Sequence, residues 1–284
     1  MHKINNFGSN MKIALYNRDG NAGVEALKRK LREKGATPVC YGEDFDSWEN
    51  LPADVGVFLS LGGDVTFLQS LTFVRDRCIP LAGINFGHLG FLTTARADED
   101  GRWIDALLEG RFTVEERALL RVTCSEIPFT FYPFALNEVS LQRRGASMLQ
   151  IHVRIDGRAL PTYWCDGLVT ATPTGSTAYN LSVGGPVVMP ASEVMVIAPI
   201  APHNLNVRPL VVPMSSSVEL TFRSREERAL LTLDNRSCEI PSGTTVSLAR
   251  GRYGLRYVSL SDDNFIQALQ TKLFWGEDRR NTNQ

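Results

Sequence analysis

The sequence predicts an α/β N-terminal domain with a parallel sheet, a β-rich C-terminal domain, and a C-terminal helix that packs back on the first domain. Three observations carry this expectation. Strand-like and helix-like segments alternate before Arg111, period-2 apolar alternation takes over after it, and one helical apolar stripe follows near the end. The expected boundaries are 1–112, 113–261 and 262–284.

Ile13–Tyr16 reads as the first strand, and Asn21 is placed to cap the segment after it. Val24, Leu27 and Leu31 fall at i, i+3 and i+7, one face of a helix that Gly35 ends. Lys28, Arg29, Lys30, Arg32 and Lys34 are expected on its solvated face, with cations favoured near the C-terminal end. Thr37–Tyr41 gives a second strand, and Pro80–Asn85 a later one. Asp98, Glu99 and Asp100 open a helix running through Leu108 to a stop at Gly110.

Between these lies the stretch that organises the chain, Val55 to Leu68. Val55, Val57, Phe58, Leu59 and Leu61 form a near-continuous apolar run, the signature of a strand buried on both faces of a parallel sheet. Gly62 and Gly63 turn the chain sharply, and Thr66, Phe67 and Leu68 begin a helix. Unpaired N–H groups converge at such a strand–Gly–Gly–helix junction, which makes it an anion site. Asp64 at the tip reads in two ways. It caps the helix, or it handles a proton or a metal beside a phosphate. Asn85–Thr93, with its glycines and His88, follows the next strand where open α/β sheets bind ligands. His88 reads equally as a turn residue satisfied by backbone.

In the C-terminal region Gln150–Asp156 and Val218–Arg223 alternate apolar and polar, as strands with one wet face do. Phe134–Leu141 reads as a mostly apolar strand carrying Asn137 and Glu138. That pair suits an adenine edge and a ribose diol, or else a satisfied strand end. Residues 166–188, DGLVTATPTGSTAYNLSVGGPVV, differ from ordinary sandwich sequence. Leu168–Ala171 is a short strand, and Thr172–Thr177 is a loop dense in hydroxyls that suits phosphates and ribose, or a surface loop with Ser/Thr turn chemistry. Tyr179 is placed to stack on a base or bond a phosphate. Phe265, Ile266, Leu269 and Leu273 trace the final helical face after the caps Asp262 and Asp263, and a polar tail follows Gly276.

Composition narrows the function classes. The net charge of −1 gives no general attraction to nucleic acid or anionic membrane. No apolar run reaches the ~20 residues of a membrane span. The first ten residues lack the apolar core of a signal peptide, and either Met1 or Met11 could open the natural chain. Five scattered cysteines without a C-x-x-C pair indicate neither zinc nor a disulfide framework, which fits a cytoplasmic protein. G-x-x-x-x-G-K-[ST], G-x-G-x-x-G and G-x-S-x-G are all absent.

Taken together, these stretches resemble the bacterial NAD kinase family, in that family's order from Ile13 to about Leu273. Gly62-Gly63-Asp64-Val65-Thr66 is similar to its GGDGT motif, Asn85–Thr93 to the segment after it, Asn137-Glu138 to its NE pair, and DGLVTATPTGSTAYNLSVGGP to its longest signature. The GGD turn is shared with lipid kinases and phosphofructokinases; the Asn137-Glu138 pair and the TPTGSTAY stretch are specific.

The resemblance implies transfer of the γ-phosphoryl of ATP to the adenosine-ribose 2′-hydroxyl of NAD, with a divalent cation, Mg²⁺, on the ATP phosphates. It implies Asp64 as the catalytic base and Gly62, Gly63 and Thr66 as the phosphate-side turn. It places NAD contacts at Asp64, Val65, Asn137, Glu138, Asp166, Thr174, Thr177, Ala178, Tyr179, Asn180, Leu181, Ser182, Ala201 and Asn235, and no metal ligand among the side chains. Homodimers or homotetramers are implied as well.

Two positions depart from the family. Trp164 replaces a basic residue of some relatives, and Val65 stands where the family has glycine. If that position needs φ > 0, strain of ~1–3 kcal/mol would impair the enzyme; the alternative need is close approach of a ligand. A non-catalytic NAD- or NADP-binding protein, or a kinase of lipid or sugar phosphate, are the alternative functions.

Overall fold

A computed structural model describes residues 10–18, 20, 23–87, 90–97, 101–128, 130–260 and 265–276. The expected cap Asn21, His88 and Leu89, the acidic helix start Asp98–Asp100, the caps Asp262 and Asp263 and the polar tail lie outside the described residues. No helix among the described residues is long and apolar enough to cross a membrane.

The first elements follow the periodicities. They are β1 (Lys12–Tyr16), α1 (Val24–Glu33), β2 (Thr37–Cys40), β3 (Val55–Leu61), α2 (Asp64–Val74) and β4 (Leu81–Asn85). After them come β5 (Ala95–Arg96), α3 (Arg102–Leu108) and β6 (Thr113–Arg117). β1 pairs in parallel with β2 and β3, β3 with β4, and β4 with β5. β3 is the central strand, with Val57, Phe58, Leu59 and Leu61 fully buried, as its near-continuous apolar run required. The strand Leu255–Ser259 joins this sheet beside β4, with Tyr257 opposite Leu81.

The chain divides into two units, Met1–Glu116 with Leu255–Gln284, and Arg117–Gly254. The second unit holds two antiparallel sheets. In one, Leu149–Ile155 pairs with Val218–Arg223, which pairs with Thr245–Arg250. In the other, Gly167–Ala171 lies between Val194–Ile200 and Glu138–Arg143, and the hairpin Arg228–Leu233/Arg236–Pro241 follows. Alternate residues of both sheets, Ile151, Val153, Leu220 and Phe222 from one and Val139, Leu141, Leu168 and Leu231 from the other, share one core. Each such side chain contributes about 1.5–3 kcal/mol on burial.

Two expectations change, and a third is met in part. Lys28 is not on a solvated face: it is 4% exposed, and its ammonium donates to Glu25 at 2.8 Å and Glu43 at 2.6 Å. Burial alone would lower its pKa; the two carboxylates outweigh that and hold it above the ordinary lysine value. The reason is that the residues around Glu43 fold over α1, a contact that periodicity within the helix does not carry. Second, the strand expected over Phe134–Leu141 is split into Phe134–Ala135 and Glu138–Arg143. The amides at the break bond to a side chain instead of a neighbouring strand.

Third, of the apolar stripe on the final helix, Phe265–Leu273, the residues Phe265, Leu269 and Leu273 are half-buried and Ile266 is 54% exposed. Lys272 of this helix donates to the Gly90 carbonyl and lies 5.2 Å from the centre of the Phe91 ring.

Candidate functional site

In the first unit the site begins where β3 ends. Gly62 has φ +155, Gly63 is extended, and α2 starts at Asp64. The Asp64 side chain does not cap the helix. Its two oxygens instead accept N–H bonds from Phe91 at 2.9 Å and Leu92 at 3.0 Å. The Gly90 amide donates to Thr93 Oγ1 at 2.6 Å, which shapes the loop that presents those amides. The carboxylate therefore sits at a helix N-terminus, oriented by a loop 27 residues further on. Thr66 is buried under Gly62. Gly90 lies so close to Asp64 that a β-carbon there would overlap the carboxylate. Gly90→Ala is expected to lower turnover about 10²-fold, as displacement of a reacting group by ~1 Å does, with thermal unfolding little changed.

Val65 lies in the first turn of α2 and is 51% exposed. It is not among the residues with positive φ. The backbone here asks nothing of glycine, so a β-branched residue fits without strain, and only its side chain can matter.

In the second unit, Asn137 and Glu138 follow the strand break. The carboxylate of Asp234, whose side chain is 0% exposed, accepts N–H bonds from Leu136 at 3.0 Å, Asn137 at 2.7 Å and Glu138 at 3.3 Å. Thr172 holds the opposite polarity: its hydroxyl donates to the Leu136 carbonyl and its amide to that of Asn137. Glu138 is 9% exposed, and its Oε2 has no hydrogen-bond partner among the described residues. Burial first, and the Asp234 charge second, push its carboxyl up to about 8 against one N–H bond from Tyr179. Burial raises the Asp234 carboxyl too, outweighing Arg236 and the three amides that favour its charge. The Asp234 oxygens accept three N–H bonds, while Glu138 Oε2 accepts none among the described residues, so of the pair Asp234 is the better placed to hold the charge.

The sign for stability follows. Glu138 keeps its proton in the folded chain while the unfolded chain loses it near the ordinary glutamate value. Its contribution is complete below about 4.5 and is lost as pH rises toward about 8. Thermal melts between pH 5 and pH 8 are expected to show this loss, and Glu138→Gln to remove it.

The hydroxyl-rich loop is not a surface loop. Thr174–Thr177 forms one turn of 3₁₀ helix, and Thr172, Thr174 and Ser176 are buried. Ser176 Oγ bridges the backbone of Val188, donating to its carbonyl at 3.1 Å and accepting from its amide at 3.0 Å. Gly175 packs on the Asn137 carbonyl, where a β-carbon would overlap it. Tyr179–Ser182 makes a short helix, with Ala178, Leu181 and Ser182 toward its open side. Asn180 is fully buried and donates to the carbonyls of Ser176 at 3.1 Å and Pro186 at 3.0 Å, closing the loop on itself. Burial first, then the charges of Glu138 and Asp166, raise the Tyr179 hydroxyl pKa. Asp166 is paired with Arg143 at 2.9 Å. Ala201 is held at φ +43 after the strand Val194–Ile200, and Asn235 is exposed in the hairpin turn beside Asp234.

The first unit thus gathers Gly62–Thr66 with Phe91 and Leu92. The second gathers Asn137, Glu138, Thr172–Tyr179 and Asp234. Two residues were missed by sequence reasoning. Asp234 precedes Asn235 in an ordinary-looking hairpin, and Lys272 lies on a polar face of the last helix; neither position carries a local signal. Among the described residues, one cluster, Cys40, Glu43 and Asp44, could hold a metal. Glu43 there is paired with Lys28, whose charge opposes a cation.

A family model described as the ATP-NAD kinase N-terminal domain matches residues 26–112, and one described as the ATP-NAD kinase C-terminal domain matches residues 136–260. The chain is 39% identical over 292 aligned positions to an NAD kinase of Porphyromonas gingivalis, covering 97% of this chain and 99% of that one. It is 43% identical over 226 positions to an NAD kinase of Cytophaga hutchinsonii, covering 79% and 77%. Among solved structures, an Archaeoglobus fulgidus NAD kinase in complex with ATP matches with TM-score 0.72 and 28% identity over 87% of this chain and 92% of that one. Yeast NADH kinase complexed with NADH matches in fold, with TM-score 0.84 at 22% identity over 96% and 90%.

Proposed function

The chain belongs to the ATP-NAD kinase family, and from that membership we propose that it transfers the γ-phosphoryl group of ATP to the adenosine-ribose 2′-hydroxyl of NAD, giving NADP. The observation that carries the reading in this chain is the Asp64 carboxylate, oriented by the Phe91 and Leu92 amides directly after a Gly–Gly turn. Asp64 accepts the proton of the 2′-hydroxyl as its oxygen bonds to the γ-phosphorus and the bond to ADP breaks. Little more covalent chemistry is asked of the protein; positioning and charge stabilisation do the rest.

On this reading Gly62, Gly63 and Thr66 form the phosphate-side turn. Asn137 and Glu138 take the adenosine part of NAD, and Asp166, Thr174, Thr177, Ala178, Tyr179, Leu181, Ser182, Ala201 and Asn235 take the rest. Asn180 keeps their loop in shape. A divalent cation is on this reading part of the substrate, entering as the metal complex of ATP. A homo-oligomer in the cytoplasm fits the same reading.

Val65 bears on rate. Its half-exposed side chain at the phosphate-side turn crowds the incoming nucleotide, and Val65→Gly is expected to raise turnover by up to about tenfold, worth ~1.4 kcal/mol of barrier. NADP formation from NAD and Mg·ATP, measured with the parent chain beside Val65→Gly, tests both statements. Turnover by neither protein, with NAD still bound, would leave a binding protein and overturn the kinase reading.

A further inference from the structure

We propose that Asp234 is the positioning residue for the Asn137–Glu138 pair, fixing the backbone from which both side chains meet NAD. The proposal rests on the reading of that pair as NAD ligands. The break between Phe134–Ala135 and Glu138–Arg143 leaves consecutive amides without ladder partners, and buried amides must find an acceptor. One carboxylate supplies all of it: Oδ2 accepts from Leu136 at 3.0 Å, and Oδ1 from Asn137 at 2.7 Å and Glu138 at 3.3 Å. The link is reciprocal, since the Asp234 amide donates to the Glu138 carbonyl at 2.9 Å.

The turn holds Asp234 at φ +52, a conformation that aspartate tolerates better than most residues. From the other side Thr172 fixes the Leu136 and Asn137 carbonyls, and Gly175 packs on the latter. The backbone of the pair is therefore set by the protein before any ligand arrives, which lowers the ordering cost of binding.

A carboxylate does here what a carboxamide cannot. Ionised aspartate only accepts, at both oxygens, whereas asparagine would turn an NH₂ group against one of the three amides. The charge has a second effect. The groups that face Asp234 are Arg236, 3.6 Å away, and Glu138, with Tyr179 and, beyond it, Asp166 around Glu138. Asp234 is the negative neighbour that helps keep the Glu138 proton in place.

The test is steady-state kinetics of the full chain and of Asp234→Asn, over pH 6 to 9, beside Glu138→Gln and Asn137→Ala. Loss of a buried charge-assisted bond predicts a rise in KM for NAD of about ten- to a hundredfold in Asp234→Asn. KM for ATP should hold, and the pH inflection of kcat/KM for NAD should move down as the Glu138 neighbour loses its charge. A folded Asp234→Asn with parental KM and pH profile, while the Glu138 and Asn137 variants bind NAD poorly, overturns the proposal alone. Parental NAD binding by Glu138→Gln and Asn137→Ala overturns the ligand reading, and the proposal with it.

If Asp234→Asn does not fold, amide hydrogen exchange of the parent chain decides. Protection of Leu136, Asn137 and Glu138 already complete without NAD is expected, and amides that stay open until NAD is added would refute prior positioning.

Discussion

Asp64→Asn is expected to reduce NADP formation by about 10²–10⁴-fold while NAD binding and thermal unfolding stay close to the parent. The carboxamide is nearly isosteric, so the Gly–Gly turn and the start of α2 keep their shape. What is lost is the acceptor for the 2′-hydroxyl proton. The amide also turns an NH₂ group toward the N–H of either Phe91 or Leu92, which now bond a carboxylate oxygen each. Initial rates with saturating NAD and Mg·ATP measure the loss, and equilibrium NAD binding checks that it is chemical. A variant that keeps more than about a tenth of parental turnover would remove Asp64 from the chemistry.

Gly175→Ala is expected to be the most damaging single methyl in the second unit. The new β-carbon would overlap the Asn137 carbonyl, a backbone group pinned by the Thr172 amide at 2.8 Å and, through the next residues, by Asp234. Neither side can yield cheaply. Overpacking of this kind costs about 1–3 kcal/mol, and the hydroxyl-rich turn is pushed off the Asn137–Glu138 pair that it must flank. The expected result is a lowered midpoint in thermal unfolding together with a rise in KM for NAD. Gly184→Ala, at a turn where no neighbour crowds a β-carbon but φ is +79, separates the effects. It should show the cost of left-handed backbone without the loss of NAD affinity.

Much of the architecture was legible in the chain itself. The apolar run of β3, the alternation of Leu149–Ile155 and Val218–Arg223, and the 3.6-residue period of α1 are consequences of which face each residue shows. Short-range spacing encodes that directly, so the elements and their order follow. The Gly–Gly–Asp turn, the Asn–Glu pair and the TPTGSTAY loop were legible too, because special backbone and dense hydroxyls stand out locally.

Tertiary structure alone decided what those side chains do. Asp64 gave two readings in sequence, and only the loop after β4, returning through Phe91 and Leu92, turned its oxygens to those amides and away from a capping bond. Lys28 looked solvated until Glu43 folded over it. Asp234 bonds to amides 96 to 98 residues away, and nothing in its hairpin announces that. The physical reason is common to all three: periodicity reports burial along one element. The partner that satisfies a buried polar group is set by where a distant segment returns, and chain closure over such lengths leaves no local trace.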